Sequence, residues 1–228
     1  MKVGAIYGSM VASGSMGTSV ASHNSGGLYL RSRAIPTQPG SSQQSAVRGR
    51  MVQLSAAWNL LSSDNQQQWS NYAAAVTVVN SVGASIHLSG RNWFIAANSE
   101  RLAGGLAVVS AGPSELSRAG LTPISMACTS SSVVQVSFSN TDKWATATGG
   151  ALLIFTSRPQ SPRRNFFKGP YRYAGHVLGA ASAPTSPATI SSPFAIANGQ
   201  RVFFRAVAVE PDGRTSADAT GFCSASIS

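Results

Sequence analysis

The spacing of the apolar residues changes once along the chain, from the period of a helix to the period of a strand. Between residues 42 and 61 apolar side chains recur every three or four positions, which favours a helix with one apolar face. The members of that face are Val47, Met51, Leu54, Trp58 and Leu61. From residue 124 onward, short runs such as 133–139 alternate apolar with polar residues, as half-buried strands do. The sequence therefore predicts an α+β protein.

Two further helices are predicted from their capping residues. Ser63, followed three residues later by Gln66, is a capping box for a second helix over 64–76. Ser89 is a suitable N-cap for a third helix, and the glycine pair that begins at Gly104 would end it. We therefore expect a helical region over residues 41–105, built around a hairpin of the first two helices.

Three tryptophans are spread over this helical region, one on each predicted helix: Trp58, Trp69 and Trp93. Large aromatic side chains on apolar helix faces are most often core residues. We expect them to form a small core rather than a ligand site, with Trp58 and Trp69 buried against each other across the hairpin.

The first 40 residues are predicted to be an extended arm. They are rich in glycine and contain no acidic residue, and they offer little apolar surface to offset the entropy of ordering. The alternation from Leu28 to Arg33 suits a strand, and Pro36 stops regular structure. We expect the arm to become ordered against a partner, through Tyr29, Arg31, Arg33 and Pro36.

Residues 106–119 are predicted to be a linker, with a Gly-Pro turn signal at its centre, and 120–228 to form antiparallel strands. The run SVVQVSF at 132–138 resembles the second strand of fibronectin type III modules. The run FRAVAVEPDGRTS at 204–216 resembles their last hairpin. The resemblance implies an immunoglobulin-like β-sandwich over 120–228.

A second resemblance concerns the N-terminal part of the chain. The run GGLYLRSR at 26–33, followed by Pro36, Pro39, Gln43 and Arg48, is similar to structural proteins of tailed phages and prophages. The similarity continues through Trp58 to a Gln-Trp pair at Trp69 and covers about residues 14–105. It implies a component of a virus particle.

The two cysteines, Cys128 and Cys223, fall in the first and last strands predicted for the sandwich. In an immunoglobulin-like topology these strands can run side by side, which would bring the thiols within bonding range. The alternative is two buried free thiols that act as small apolar residues. Neither cysteine belongs to a metal-binding motif.

The stretch 158–173 combines basic and aromatic residues and is predicted to be an insertion that binds a partner. Its candidate contact residues are Arg163, Arg164, Phe166, Phe167 and Lys168. A glycan or protein receptor is one class of ligand, and nucleic acid held by stacking and phosphate contacts is another. Nucleic acid is not favoured by the sequence, because the long Arg-rich or Lys-rich runs of nucleic-acid arms are absent.

The composition gives no support to catalysis. Only 11% of the residues are charged, and the seven acidic residues and three histidines are scattered without a catalytic or metal-ligand spacing. We therefore expect no enzyme activity and no cofactor. A surface poor in charge is typical of proteins that other subunits cover, although adhesive β proteins share it.

These observations favour a structural component of a bacteriophage particle. The role we expect is a capsid decoration protein that bridges neighbouring subunits through its N-terminal arm. Its partners would be other virion proteins and copies of itself, and it would be made in the host cytoplasm and reside in the virion, without a membrane contact. A tail or connector protein is an alternative, and an extracellular immunoglobulin-like binding module is another.

Overall fold

The structure, a computed structural model, describes residues 2–6, 9–24, 27–35, 40–80 and 82–226. It contains an N-terminal sheet, a helical region and a C-terminal pair of sheets, in this order along the chain. The prediction of a mixed α+β fold with antiparallel sheets is confirmed. Among the helices of the described residues, none has both the length and the apolar content that a membrane span requires.

The N-terminal sheet is a four-stranded antiparallel meander. Its strands are β1 (Lys2–Ile6), β2 (Ser9–Met16), β3 (Ser19–Asn24) and β4 (Gly27–Ser32). The prediction of one extended arm over 1–40 is therefore wrong for this segment, although the expected strand after residue 28 corresponds to β4. Gly17, with a φ of 58°, provides the two-residue turn between β2 and β3. Pro36 lies outside the described residues.

The helical region contains α1 (Ser42–Asn59), α2 (Ser63–Ala75) and α3 (Gly90–Ala103). A short hairpin of β5 (Thr77–Val79) and β6 (Ser85–His87) joins the last two helices. Ser89 caps α3, as predicted, by accepting a hydrogen bond from the backbone of Asn92. The cap of α2 is Ser62 instead of Ser63, and the side chain of Gln66 donates to the carbonyl of Trp58 at 3.0 Å.

The core of the helical region is aromatic. Its buried members are Leu54, Trp69, Tyr72, Ala73, Val76, Trp93, Phe94 and Ala97. Trp58 is only half-buried, and the expected pairing with Trp69 is corrected: each of the two rings packs on Phe94, with centroid distances of 5.5 Å and 5.7 Å. The predicted apolar face of α1 is divided as well, because Leu54 is buried while Val47 and Met51 are exposed.

The C-terminal region contains seven strands in two antiparallel sheets. The strands are β7 (Ser125–Cys128), β8 (Val133–Ser137), β9 (Ala151–Thr156), β10 (Arg172–Leu178), β11 (Ala188–Ser191), β12 (Arg201–Val209) and β13 (Ala219–Ser224). Their order is β11-β8-β7 in one sheet and β10-β9-β12-β13 in the other. A single apolar cluster includes residues from both sheets, with Trp144 of the short helix α4 (Lys143–Thr146) fully buried in it.

A disulfide bond joins Cys128 on β7 to Cys223 on β13, with the two Cα atoms 6.1 Å apart. These strands belong to different sheets, so the bond ties the first and last strands of the region together across the two layers. Both residues are buried in the shared core.

We expect denatured, unreduced protein to have no reactive thiol and reduced protein to have two. Because the bond links residues 95 positions apart, reduction should lower the free energy of unfolding by about 4–5 kcal/mol through the entropy of the unfolded chain. A Cys128→Ala/Cys223→Ala variant should match the reduced protein in urea denaturation. Two thiols in unreduced protein, or a peptide map that joins either cysteine to another chain, would contradict this pairing.

The helical region and the paired sheets meet at residues 104–112, and buried polar side chains hold this junction. The side chain of Asn98 bonds both backbone groups of Val109, at 2.8 Å and 3.1 Å. The guanidinium of Arg101 donates to the carbonyls of Ala107 at 2.7 Å, Gly149 at 3.3 Å and Glu210 at 3.0 Å. The segment predicted to be a linker contains neither helix nor strand, but its first residues contact both the helical region and the C-terminal sheets.

Arg101→Met should lower the free energy of unfolding by about 2–4 kcal/mol, because it removes the donors of three buried or part-buried carbonyls. Arg91→Met is the matched control, since Arg91 is exposed on the same helix, and it should change stability by less than about 0.5 kcal/mol. Urea denaturation at neutral pH measures both. Equal effects of the two substitutions would show that the junction does not depend on Arg101.

Candidate functional site

The C-terminal sheet β10-β9-β12-β13 has an outer face, which points away from the shared core. Other parts of the chain cover one half of this face, and we call the rest the open half. On β12, Phe204 and Ala206 point into the shared core, and the alternate residues Phe203 and Arg205 point outward. Leu106 of the junction packs on the covered half. The open half carries Phe203, Arg205 and Phe222, and Phe155, which is buried in the same cluster as Leu106, lies at its border.

The predicted insertion folds over the open half and is held there by hydrogen bonds. Arg201 on β12 donates to the carbonyl of Arg164 and to the side chain of Asn165, both at 2.7 Å. Arg164 in turn donates to the carbonyl of Phe166 at 3.0 Å, and the hydroxyl of Tyr171 donates to the carbonyl of Phe167 at 3.1 Å. The insertion is thus a fixed wall beside the sheet.

Between this wall and the sheet lies a cavity of about 700 Å³, which we call the aromatic groove. Phe166, Phe167 and Lys168 line it from the insertion, and Phe155, Phe203 and Phe222 line it from the sheet. Its volume is in the range of sites that hold small molecules or short segments of a polymer.

The rings of the groove support one another. The ring of Phe167 stacks on that of Phe203, with the ring centroids 5.5 Å apart. The ring centroids of Phe203 and Phe222 are 5.7 Å apart. The guanidinium of Arg201 lies 4.2 Å from the ring centre of Phe222. Phe203 is buried, but Phe166 is 74% exposed and Phe222 48% exposed. Two aromatic rings therefore face solvent on a packed aromatic base, one from each wall.

Arg205 separates the open half from the covered half. It bonds Glu100 of α3 at 2.9 Å and Asp218 at 3.4 Å. Burial acts to lower the pKa of Arg205, but the two carboxylates outweigh this effect and the pKa is raised. The positive charge of Arg205 is thus paired with carboxylates of the same chain.

A second, smaller cavity lies on the other side of Phe167. Its volume is about 280 Å³, and Arg158, Arg164 and Arg172 line it, so we call it the arginine cavity. Arg172 also lines a third cavity of about 410 Å³, together with Arg48 and the first turns of α1. Arg48 of α1 and Arg172 of β10, which are far apart in the sequence, therefore line the same cavity.

The structure distributes the predicted site residues unevenly. Phe166, Phe167 and Lys168 line the aromatic groove, Arg164 lines the arginine cavity, and Arg163 is exposed beside them. The exposed residues Tyr29, Arg31 and Arg33 lie on or just after β4. Phe155, Phe203 and Phe222 were not predicted as site residues. Phe155 lies in a continuous apolar run and Phe203 is next to Phe204, so no alternation of apolar and polar residues indicated which face they occupy.

A separate cluster of charges lies at the hairpin after β12. Arg214 is buried and bonds Asp212 and Glu115 at 2.8 Å each, and it also bonds Glu210. Burial raises the pKa of Glu210 despite this partner. All three carboxylates are occupied by one guanidinium, which is typical of a structural clamp. Among the described residues no group of three or more His, Cys, Asp or Glu side chains could hold a metal ion.

Comparisons with protein families, with curated proteins and with solved structures found no match for this chain.

Proposed function

We propose that this protein is a structural component of a bacteriophage particle, a capsid decoration protein that bridges neighbouring subunits through its N-terminal segment. The observation that carries the proposal is where the exposed apolar side chains lie. Among the described residues, nine large ones fall between residues 16 and 60: Met16, Leu28, Tyr29, Leu30, Ile35, Val47, Met51, Val52 and Leu60. A concentration of exposed apolar side chains in one part of the chain supports an interaction site there.

The N-terminal sheet offers both an exposed face and a free edge on which a partner could pack or pair. Residues 28–32 of β4 are all exposed although alternate residues point to opposite faces, so the described part of the chain buries neither face of this strand. β4 is also an edge strand, whose free backbone groups can pair with a strand of another chain. Arg31 and Arg33 add positive charge beside it and would favour acidic partners.

The C-terminal region supports the same proposal as the folded body of such a protein. We infer that it is an immunoglobulin-like sandwich, because seven antiparallel strands divide into sheets of three and four around one core. The resemblance of residues 14–105 to tailed-phage structural proteins supports the virion context. The fold itself carries no single function, so the exposed N-terminal surface is the main argument.

Substitutions at this surface should prevent incorporation without unfolding the protein. In Leu30→Glu and Val52→Glu, whose parent side chains are 65% and 71% exposed, a buried carboxylate would oppose docking. We expect the copy number in purified particles to fall at least tenfold, equivalent to about 1.4 kcal/mol, with an unchanged unfolding temperature.

Gln53→Glu is the matched control, because Gln53 is an exposed polar neighbour of Val52 on α1. It should be incorporated normally. Quantitative mass spectrometry of purified particles measures all four proteins. Absence of the wild-type protein from particles, or normal copy numbers of both variants, would contradict the proposal. Labelling with antibodies in electron micrographs would distinguish capsid from tail or connector.

Limited proteolysis should cut the isolated protein within the first 40 residues and leave a stable remainder, because the side chains of β4 and of residues 33–35 are exposed. The same bonds should resist cleavage in the particle, where partners would cover them. Mass spectrometry of the fragments locates the cuts. Equal protection of this segment in free and assembled protein would show that assembly does not cover it.

A further inference from the structure

We infer that the aromatic groove and the arginine cavity form a binding site for single-stranded nucleic acid, with bases stacked in the groove and phosphates along the basic residues. This goes beyond the proposed structural role and does not depend on it. Proteins that bind single strands without sequence preference combine stacking rings with a positively charged path. Both parts are present here, in two neighbouring cavities that share Phe167 as a lining residue.

The stacking part is formed by Phe166 and Phe222. Phe166 projects from the insertion and is 74% exposed, so most of its ring is open to a planar ligand. Phe222 is half-exposed and is backed by Phe203 and by the guanidinium of Arg201. Because the hydrogen bonds of Arg201 and Arg164 fix the insertion, the site is formed before a ligand binds.

The charged part is formed by cations that the fold does not neutralise. In the described part of the chain, six salt bridges involve Lys143, Arg205 or Arg214, and none of them reaches Lys168, Arg158 or Arg172. The one acidic residue that lines the groove or the two neighbouring cavities is Asp218, and it bonds Arg205. The occupant that this surface favours is an anion.

The shape of the site favours a polymer over a compact ligand. Phe167 lines both the groove and the arginine cavity, and Arg172 lines both the arginine cavity and the cavity at α1. The three spaces of about 700, 280 and 410 Å³ therefore follow one another. A chain of repeating phosphates matches such a row of cations. The exposed rings favour nucleobases over the sugars of an anionic polysaccharide, because every base has a flat aromatic face.

Fluorescence anisotropy of the full chain with a labelled oligothymidine of about 12 nucleotides tests the site. We expect saturable binding that weakens as salt is raised. Phe166→Ala and Phe222→Ala should each weaken binding at least about fivefold, the loss of one stacked base. Lys168→Gln and Arg172→Gln should each reduce the slope of log affinity against log salt by about 0.7, the loss of one phosphate contact.

Two controls separate this site from general attraction by the net charge of +10. Arg91→Gln and Leu178→Ala change an exposed cation and an exposed apolar residue away from the groove, and both should leave the affinity unchanged. An oligomer with the same phosphates and no bases, which lacks both stacking contacts, should bind the wild-type protein more weakly than oligothymidine binds either phenylalanine variant. The unfolding temperatures should be unchanged for Phe166→Ala, because its ring is largely exposed.

Three results would overturn the inference. The first is the absence of saturable binding at low salt. The second is equal binding of oligothymidine and of the base-free oligomer, which would indicate a polyanion site without stacking. The third is tighter binding of a sulfated polysaccharide of equal charge that also depends on Phe166 and Phe222, which would assign the groove to an anionic glycan.

Discussion

The arrangement of the two packed regions depends on the burial of one guanidinium, that of Arg101. It donates hydrogen bonds to three carbonyls that belong to the junction, to the start of β9 and to the end of β12. Burial lowers the pKa of Arg101, which shows the electrostatic cost of its position. Such a cost is offset only when the donors are satisfied, and here the acceptors come from the junction and from the C-terminal region. The helices therefore stay at one end of the outer sheet face.

The aromatic groove is a consequence of this placement. α3 and the junction cover one half of the outer sheet face, and Arg205, bonded to Glu100 and Asp218, marks the limit of that cover. On the other half Phe222 remains half-exposed beside the buried rings of Phe155 and Phe203, and the insertion leans over it because Arg201 bonds its backbone. An open apolar half would be a liability alone. Because basic residues surround it, this half of the sheet face is suited to an anionic ligand with flat rings.

The N-terminal segment and the C-terminal region differ in how completely they are packed. β9 is buried along its whole length, and β12 nearly so, whereas β4 is exposed on both faces. A disulfide and a shared core stabilise the C-terminal region within one chain. The segment before residue 60 instead presents apolar side chains outward. This contrast is the physical basis for our proposal that the first part of the chain takes part in assembly and the last part binds a ligand.

The sequence by itself determined the elements whose signals are local. Helical spacing and a capping serine located α3, alternation located β8, and a run of mostly apolar residues located β12, because backbone hydrogen bonding and burial leave a pattern within a few residues. It did not determine the N-terminal meander, because the turn at Gly17 depends on a φ of 58° that glycine permits but does not require. Nor did it show that Phe94 separates Trp58 from Trp69, or that Phe155, Phe203 and Phe222 share a groove with Phe166. Alternation divides a strand into two faces, but only the packing of α3, the junction and the insertion decides which part of a face is covered and which remains open.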